Sequence, residues 1–136
     1  MAEGEAPDPA PDPQDPDRLI TDFAGRVPGV LRAAVVASDG VLVAVSDRTP
    51  HDQLEQLSAI TAGLIALASA AARIFDGGAI TQALVTMAQG TFVLMAIDEG
   101  SSLAVLTTAT ADLDTVAYEM TMLVEETGSA FTPPAR

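Results

Sequence analysis

From Gln56 to Ala72 the chain carries no charged residue, and no other segment restricts the fold as much. Helix signals bound the segment on both sides. Thr49-Pro50-His51-Asp52 reads as N-cap, N1, N2 and N3, with Asp52 placed to complete a capping box. Asp76-Gly77-Gly78 supplies the exit, so the predicted helix runs to about Phe75. At about 100° per residue, Leu57, Ile60, Leu64, Leu67, Ala71 and Phe75 share one face, the natural one to bury on a sheet. A helix with one buried face is polar on the other. Here the other face carries Ala59, Ala62, Ala66, Ser69 and Ala70, with Glu55 and Arg73 the only charges, near its ends. A helix apolar on both sides is expected to be covered on both sides. Ala62, Ala66 and Ala70, spaced by four, would let a second helix approach closely. The alternative is that Ala stands there as a strong helix former on an exposed face. The uncharged stretch is about the minimum length of a bilayer span. Its Ser58, Thr61, Gly63 and Ser69 mark it instead as a buried helix of a soluble domain.

The flanking segments supply the remaining elements. Residues 1–14 hold Pro7, Pro9, Pro11 and Pro13 with four acids and no base, the composition of a disordered tail. Asp15-Pro16 opens a first helix with its apolar face on Leu19, Ile20, Phe23, Ala24 and Val27, and Val27-Pro28-Gly29 stops it. The apolar runs Val30–Ala37 and Val41–Val45 flank Ser38-Asp39-Gly40, a strong hairpin signal. After the long helix come strands Ile80–Ala88, Phe92–Ile97 and Ser102–Thr107, joined through Gln89-Gly90 and Asp98-Glu99-Gly100. Asp112 caps a third helix with Leu113, Val116, Ala117, Met120, Leu123 and Val124 at helical spacing. Gly128 is expected to end it. Residues 15–132 thus form one domain, and Pro133-Pro134 lies in a short tail over 133–136. The predicted fold class is α+β, in the order α-β-β-α-β-β-β-α. Hairpin links make its sheet largely antiparallel, with helices on the faces.

Composition narrows the chemistry. In 136 residues of 49% hydrophobic content, 19 acids face six bases for a net charge of −13; every base is Arg, and Lys, Cys and Trp are absent. Disulfides, thiolate metal sites, cysteine nucleophiles, Schiff-base lysines and a Walker lysine are therefore impossible. The negative field disfavours nucleic acid and anionic membrane as partners and leaves a protein. Residues 1–17 carry six of the acids and no base, while the long helix is nearly neutral between Glu55 and Arg73. The acidic, proline-rich N-terminus lacks the basic region and apolar run of a secretory signal, so a cytoplasmic location without membrane insertion is expected.

No catalytic constellation is evident. His51, the single histidine, falls in a helix's first turn without a visible partner. Asp112 and Asp114 suit a helix N-terminus and lack the rest of a calcium loop. Asp76-Gly77-Gly78 is not followed by a helix, so it caps rather than cradles phosphate. Ser58, Ser69, Ser101 and Ser102 stand in no nucleophile elbow, and Glu125-Glu126 fits a solvated face. Arg73 could reach a nucleotide's phosphates in trans, or rim an interface. The expectation is a protein that is not an enzyme and that needs no cofactor or metal.

The hairpin from Ala33 to Ala44, the Ala-rich helix Leu54 to Phe75, the strand Leu103–Thr107 and the stretch Leu113–Met120 together resemble a Roadblock-type (dynein light-chain Roadblock) domain over about residues 17–132. The resemblance implies a profilin-like five-stranded antiparallel sheet with one helix on one face and two on the other. It also implies a homodimer in which the second helix and third strand pair across a two-fold, adding Ile80 and Gln82 to the candidate interface. Bacterial proteins of this kind are similar to regulators of small Ras-like GTPases, as activators or docking platforms. The similar operon type also encodes a histidine-kinase-like sensor, a further implied partner. A small-ligand sensor domain is the alternative; it would need an apolar cavity with a few convergent polar groups.

Overall fold

The computed structural model describes residues 15–46 and 49–131. The expectations for the 1–14 and 133–136 tails lie outside the described residues. In chain order the elements are α1 (Pro16–Arg26), β1 (Val30–Ala37), β2 (Leu42–Val45), α2 (His51–Phe75), β3 (Gln82–Met87), β4 (Gly90–Asp98), β5 (Ser101–Thr108), α3 (Leu113–Thr127) and a 3₁₀ turn (Gly128–Phe131). The five strands form one sheet in the order β2-β1-β5-β4-β3, and every ladder is antiparallel. The element order is the one expected from the sequence.

Alternation along the strands divides the side chains between two layers. On one face Ala33, Val35, Val93, Leu103 and Val105 meet Ile20 and Phe23 of α1 and Val116, Met120 and Leu123 of α3. On the other, Phe92, Leu94 and Ala104 meet Leu57, Leu64 and Ile65 of α2. Two helices therefore cover one face and one helix covers the other.

The turns show why these residues form these elements. Gly40 takes φ +88°, its N–H donates to the Ala37 carbonyl at 2.9 Å, and Asp39 Oδ1 accepts from the Val41 N–H at 3.0 Å. This closes the β1–β2 hairpin on the Asp-Gly pair. Gly90 opens β4 where a Cβ would run into the Thr107 carbonyl of β5, so that ladder needs glycine there. Asp112 caps α3 as expected, with Oδ1 accepting from the Asp114 N–H at 3.1 Å and the Thr115 N–H at 3.3 Å.

Two local expectations are corrected, the N-cap of α2 and the extent of β3. The N-cap of α2 is Pro50, not Thr49, and its carbonyl accepts from the Gln53 and Leu54 N–H groups. Proline has no N–H for a reciprocal carboxylate, so Asp52 forms no capping box. The Thr49 hydroxyl instead donates to the Ser46 carbonyl at 3.2 Å. At the other end α2 stops at Phe75 as expected, and Asp76 takes the left-handed position (φ 58°) before its two glycines, which Asp tolerates. Strand β3 is shorter than the expected Ile80–Ala88, because Ala88 and Gln89 form the turn to β4 and Ile80 precedes the ladder. Gly128 ends α3 as expected, standing at its C-cap. It is right-handed (φ −55°), and the chain continues through a 3₁₀ turn that buries Phe131 completely in the α1–α3 core.

That last turn generates a prediction. Phe131→Ala should cost about 3–5 kcal/mol of stability, measured as a lower urea midpoint at unchanged slope.

Candidate functional site

The 25 residues of α2 follow from an uninterrupted run of helix-compatible residues, yet only Ser58 and Thr61 are fully buried. Leu57, Leu64 and Ile65 pack beside them on Phe92, Leu94 and Ala104. The helix is therefore turned by about a quarter revolution from the expected seating, at about 100° per residue. Leu57 and Leu64 do face the sheet, but Ile60, Leu67, Ala71 and Phe75 are exposed. The physical reason is that apolar residues surround most of this helix, so its sequence does not single out one face. Short side chains let it sit close; a Cβ on Gly40 would lie 3.8 Å from the Ala62 Cβ.

This rotation sorts the expected interface residues into two groups. Ala59, Ala66 and Arg73 are exposed, with Ala70 half-buried among them on the outer face. Ala62 and Ser69 turn toward the sheet and, with Ile80, line a cavity beneath the helix. Gln82 is separated from both groups. It lies opposite Met95 in the β3–β4 ladder, and Met95 packs in the α1–α3 layer, so Gln82 stands on the far face of the sheet from α2.

Sequence reasoning missed three outer residues, Ile60, Leu67 and Ile74. They lie seven apart on one stripe beside Ala59, Gly63, Ala66 and Ala70, with Leu67 71% and Ile74 80% exposed. That seven-residue spacing was the available signal. Strand β3 extends the same surface. It is an edge strand whose outer N–H and C=O groups have no ladder partner among the described residues. Leu84, Val85 and Met87 are exposed on its two faces. Val85 lies opposite Phe92, and Phe92 lines a pocket with Leu57 and Ile60, so the apolar stripe of α2 runs on to the sheet edge.

The site is electrostatically quiet. Arg73 is the only base on α2, and Glu55 lies near the opposite end. Elsewhere Arg26 pairs with Glu119 at 2.7 Å, joining α1 to α3 on the other layer. Among the described residues no group of three or more His, Asp or Glu side chains could hold a metal ion. His51 is exposed at the start of α2. By length and composition α2 could cross a membrane, yet the fold holds it flat on the sheet between β2 and β3. What this arrangement offers is a wide, nearly neutral apolar surface beside an open strand edge.

Comparison with known proteins gives the following. The sequence profile of the Roadblock/LC7 domain matches residues 16–107. The crystal structure of a Roadblock/LC7 domain from Streptomyces avermitilis superposes with a TM-score of 0.77 at 31% identity, over 82% of this chain and 93% of that one. MglB from Myxococcus xanthus superposes with 0.77 at 15% identity, over 85% and 93%. MglB in a tetrameric arrangement gives 0.75 at 13%, over 90% and 93%. These last two likenesses show the shared fold. The comparison with curated proteins finds no match.

The buried Thr61 hydroxyl has no hydrogen-bond partner among the described residues. Thr61→Val is therefore expected to stabilise the fold by about 1 kcal/mol, read as a higher urea midpoint. An unchanged or lower midpoint would show that the hydroxyl has a partner in solution.

Proposed function

The chain belongs to the Roadblock/LC7 domain family, and on that premise we propose that it is a non-enzymatic, homodimeric regulator of a small Ras-like GTPase in bacterial, cytoplasmic signalling. One observation carries the reading: the outer face of α2 and the edge of β3 form a single uncovered apolar surface. Surfaces of that kind mark protein interfaces. A two-fold axis beside β3 would pair two identical edges in antiparallel fashion and bring two α2 helices together. Ala59, Gly63, Ala66 and Ala70 would give the close approach, and Ile60, Leu67 and Ile74 the apolar anchors. Ile80 and Ser69 lie beside this interface rather than in its centre. The tetrameric arrangement of MglB supports self-association in a related fold.

The regulatory step follows from what the surface lacks. With no metal cluster among the described residues and an apolar docking face, the domain would act on a GTPase by holding its switch loops in one arrangement. Arg73, exposed at the end of α2, is the base on this helix able to approach a phosphate. A dimer places two copies of α2 side by side and so presents a broad platform for that docking.

Two measurements test the reading. Ala66→Arg should convert the dimer to a folded monomer in sedimentation, because Ala66 is exposed within the subunit and a charge there opposes only pairing. A variant that stays dimeric would place the interface elsewhere. With any small Ras-like GTPase encoded near its gene, excess protein should change single-turnover GTP hydrolysis roughly 10-fold or more. Failure to bind that GTPase in either nucleotide state would sink the proposal.

A further inference from the structure

A cavity of about 480 Å3 opens between the second half of α2 and the sheet, separate from the outer α2 surface. Its floor is Val36, Ala96 and Ser102, which share a face because Ser102 pairs with Val36 on one side and with Ala96 on the other. Its roof is Thr61, Ile65 and Ser69 of α2. A layer between helix and sheet is ordinarily apolar, yet hydroxyls enter this one from both sides. Thr61 Oγ1 is buried without a partner. The side chains of Ser69 and Ser102 make no hydrogen bond among the described residues either. Buried polar groups in folded proteins are nearly always satisfied, so the unpartnered Thr61 hydroxyl calls for an occupant, to which Ser69 and Ser102 offer further hydroxyls.

The lining also states what the occupant must look like. Val36, Ile65 and Ile80 offer an apolar path between the hydroxyls and the opening. At the opening stand two exposed acids, Asp98 and Glu99. Asp98 Oδ1 is held by the Gly100 N–H at 2.7 Å and the Ser101 hydroxyl at 3.2 Å. No Arg or His lines the cavity, so an anion would meet only repulsion. We propose that this cavity binds a small aliphatic amino alcohol. The ligand's hydroxyl sits between Thr61 and Ser102, its methylenes run along the apolar wall, and its ammonium stays at the mouth beside Asp98 and Glu99. This arrangement keeps the charge in water while its other end satisfies the roof and floor.

The test uses the full chain at fixed ionic strength, titrated with 5-amino-1-pentanol and its three- and six-carbon homologues. Backbone amide shifts at Thr61, Ser69 and Ser102 and the melting temperature are followed together. Saturable shifts at these amides with a rise in melting temperature are expected. Pentylamine, which lacks the hydroxyl, should bind about tenfold more weakly, and 5-hydroxypentanoate should not bind. The double variant Thr61→Val with Ser102→Ala, a change of nearly constant volume, should stay folded and lose the response. Glu99→Gln should weaken it severalfold. The inference is overturned by absence of saturable shifts at these amides, by equal binding of pentylamine or 5-hydroxypentanoate, or by an undiminished response in the double variant. Because the GTPase assay does not enter this titration, either proposal can fail without the other.

Discussion

Strand β5 is hydrogen-bonded along both edges and covered on both faces, and the other elements take their places around it. Ser101 to Val105 are buried without a break, with β1 on one side and β4 on the other. The two sets of alternating side chains differ in size. Leu103 and Val105 point into a thick layer filled by Ile20, Phe23, Met120 and Phe131. Large apolar side chains buried there contribute roughly 1.5–3 kcal/mol each. Ser102 and Ala104 point the other way, onto a shallow surface with Val36 and Ala96. This shallow surface carries a single helix, in contact through Leu57, Leu64 and Ile65 and standing off it over the cavity floored by Val36, Ala96 and Ser102. The asymmetry of one strand thus accounts for two helices on one side, one on the other, and an α2 whose outer surface stays uncovered.

Much of this fold was legible because its local signals agree with its long-range pairing. Asp39-Gly40, the Asp112 cap and the β-branched run of β1 each specify an element without help from distant residues. The signals misled where tertiary contacts chose between two local options. Gly128 does close α3, but in the right-handed region, and a 3₁₀ turn then carries Phe131 into the core. Thr49 is a good cap, yet Pro50 presents its own carbonyl to the first N–H groups of α2 and leaves the threonine to bind Ser46. Strand ends behaved likewise. β4 and β5 run past their apolar cores because a neighbour offers hydrogen bonds that composition cannot reveal.

The candidate site was less legible, for a reason specific to α2. A helix with a strong apolar stripe points to its own buried face; one that is apolar around most of its circumference leaves the angle to the sheet. Seating through Ser58 and Thr61 could not be inferred, since polarity argued for the opposite placement. The small outer residues Ala59, Ala66 and Ala70 were recognised, while the larger Ile60, Leu67 and Ile74 beside them were hidden by the assumption that large residues face inward. Gln82 shows the parallel difficulty in a strand. Its face depends on registry with Met95, and a shift of one residue would reverse it.

Strand β3 is held by a single ladder, to β4, and its side chains are mostly exposed. Its release exposes little further apolar surface, so β3 can open while β5 and the α1–α3 layer remain closed. The fold therefore has two scales of opening, a shallow one at this edge and a deep one at the centre. Any molecule that adds a second ladder to β3 raises the shallow scale by its binding free energy and barely alters the deep one. Occupancy of the edge becomes a property of a few amide protons, readable as slowed exchange along Gln82–Met87 while the core keeps its own rate.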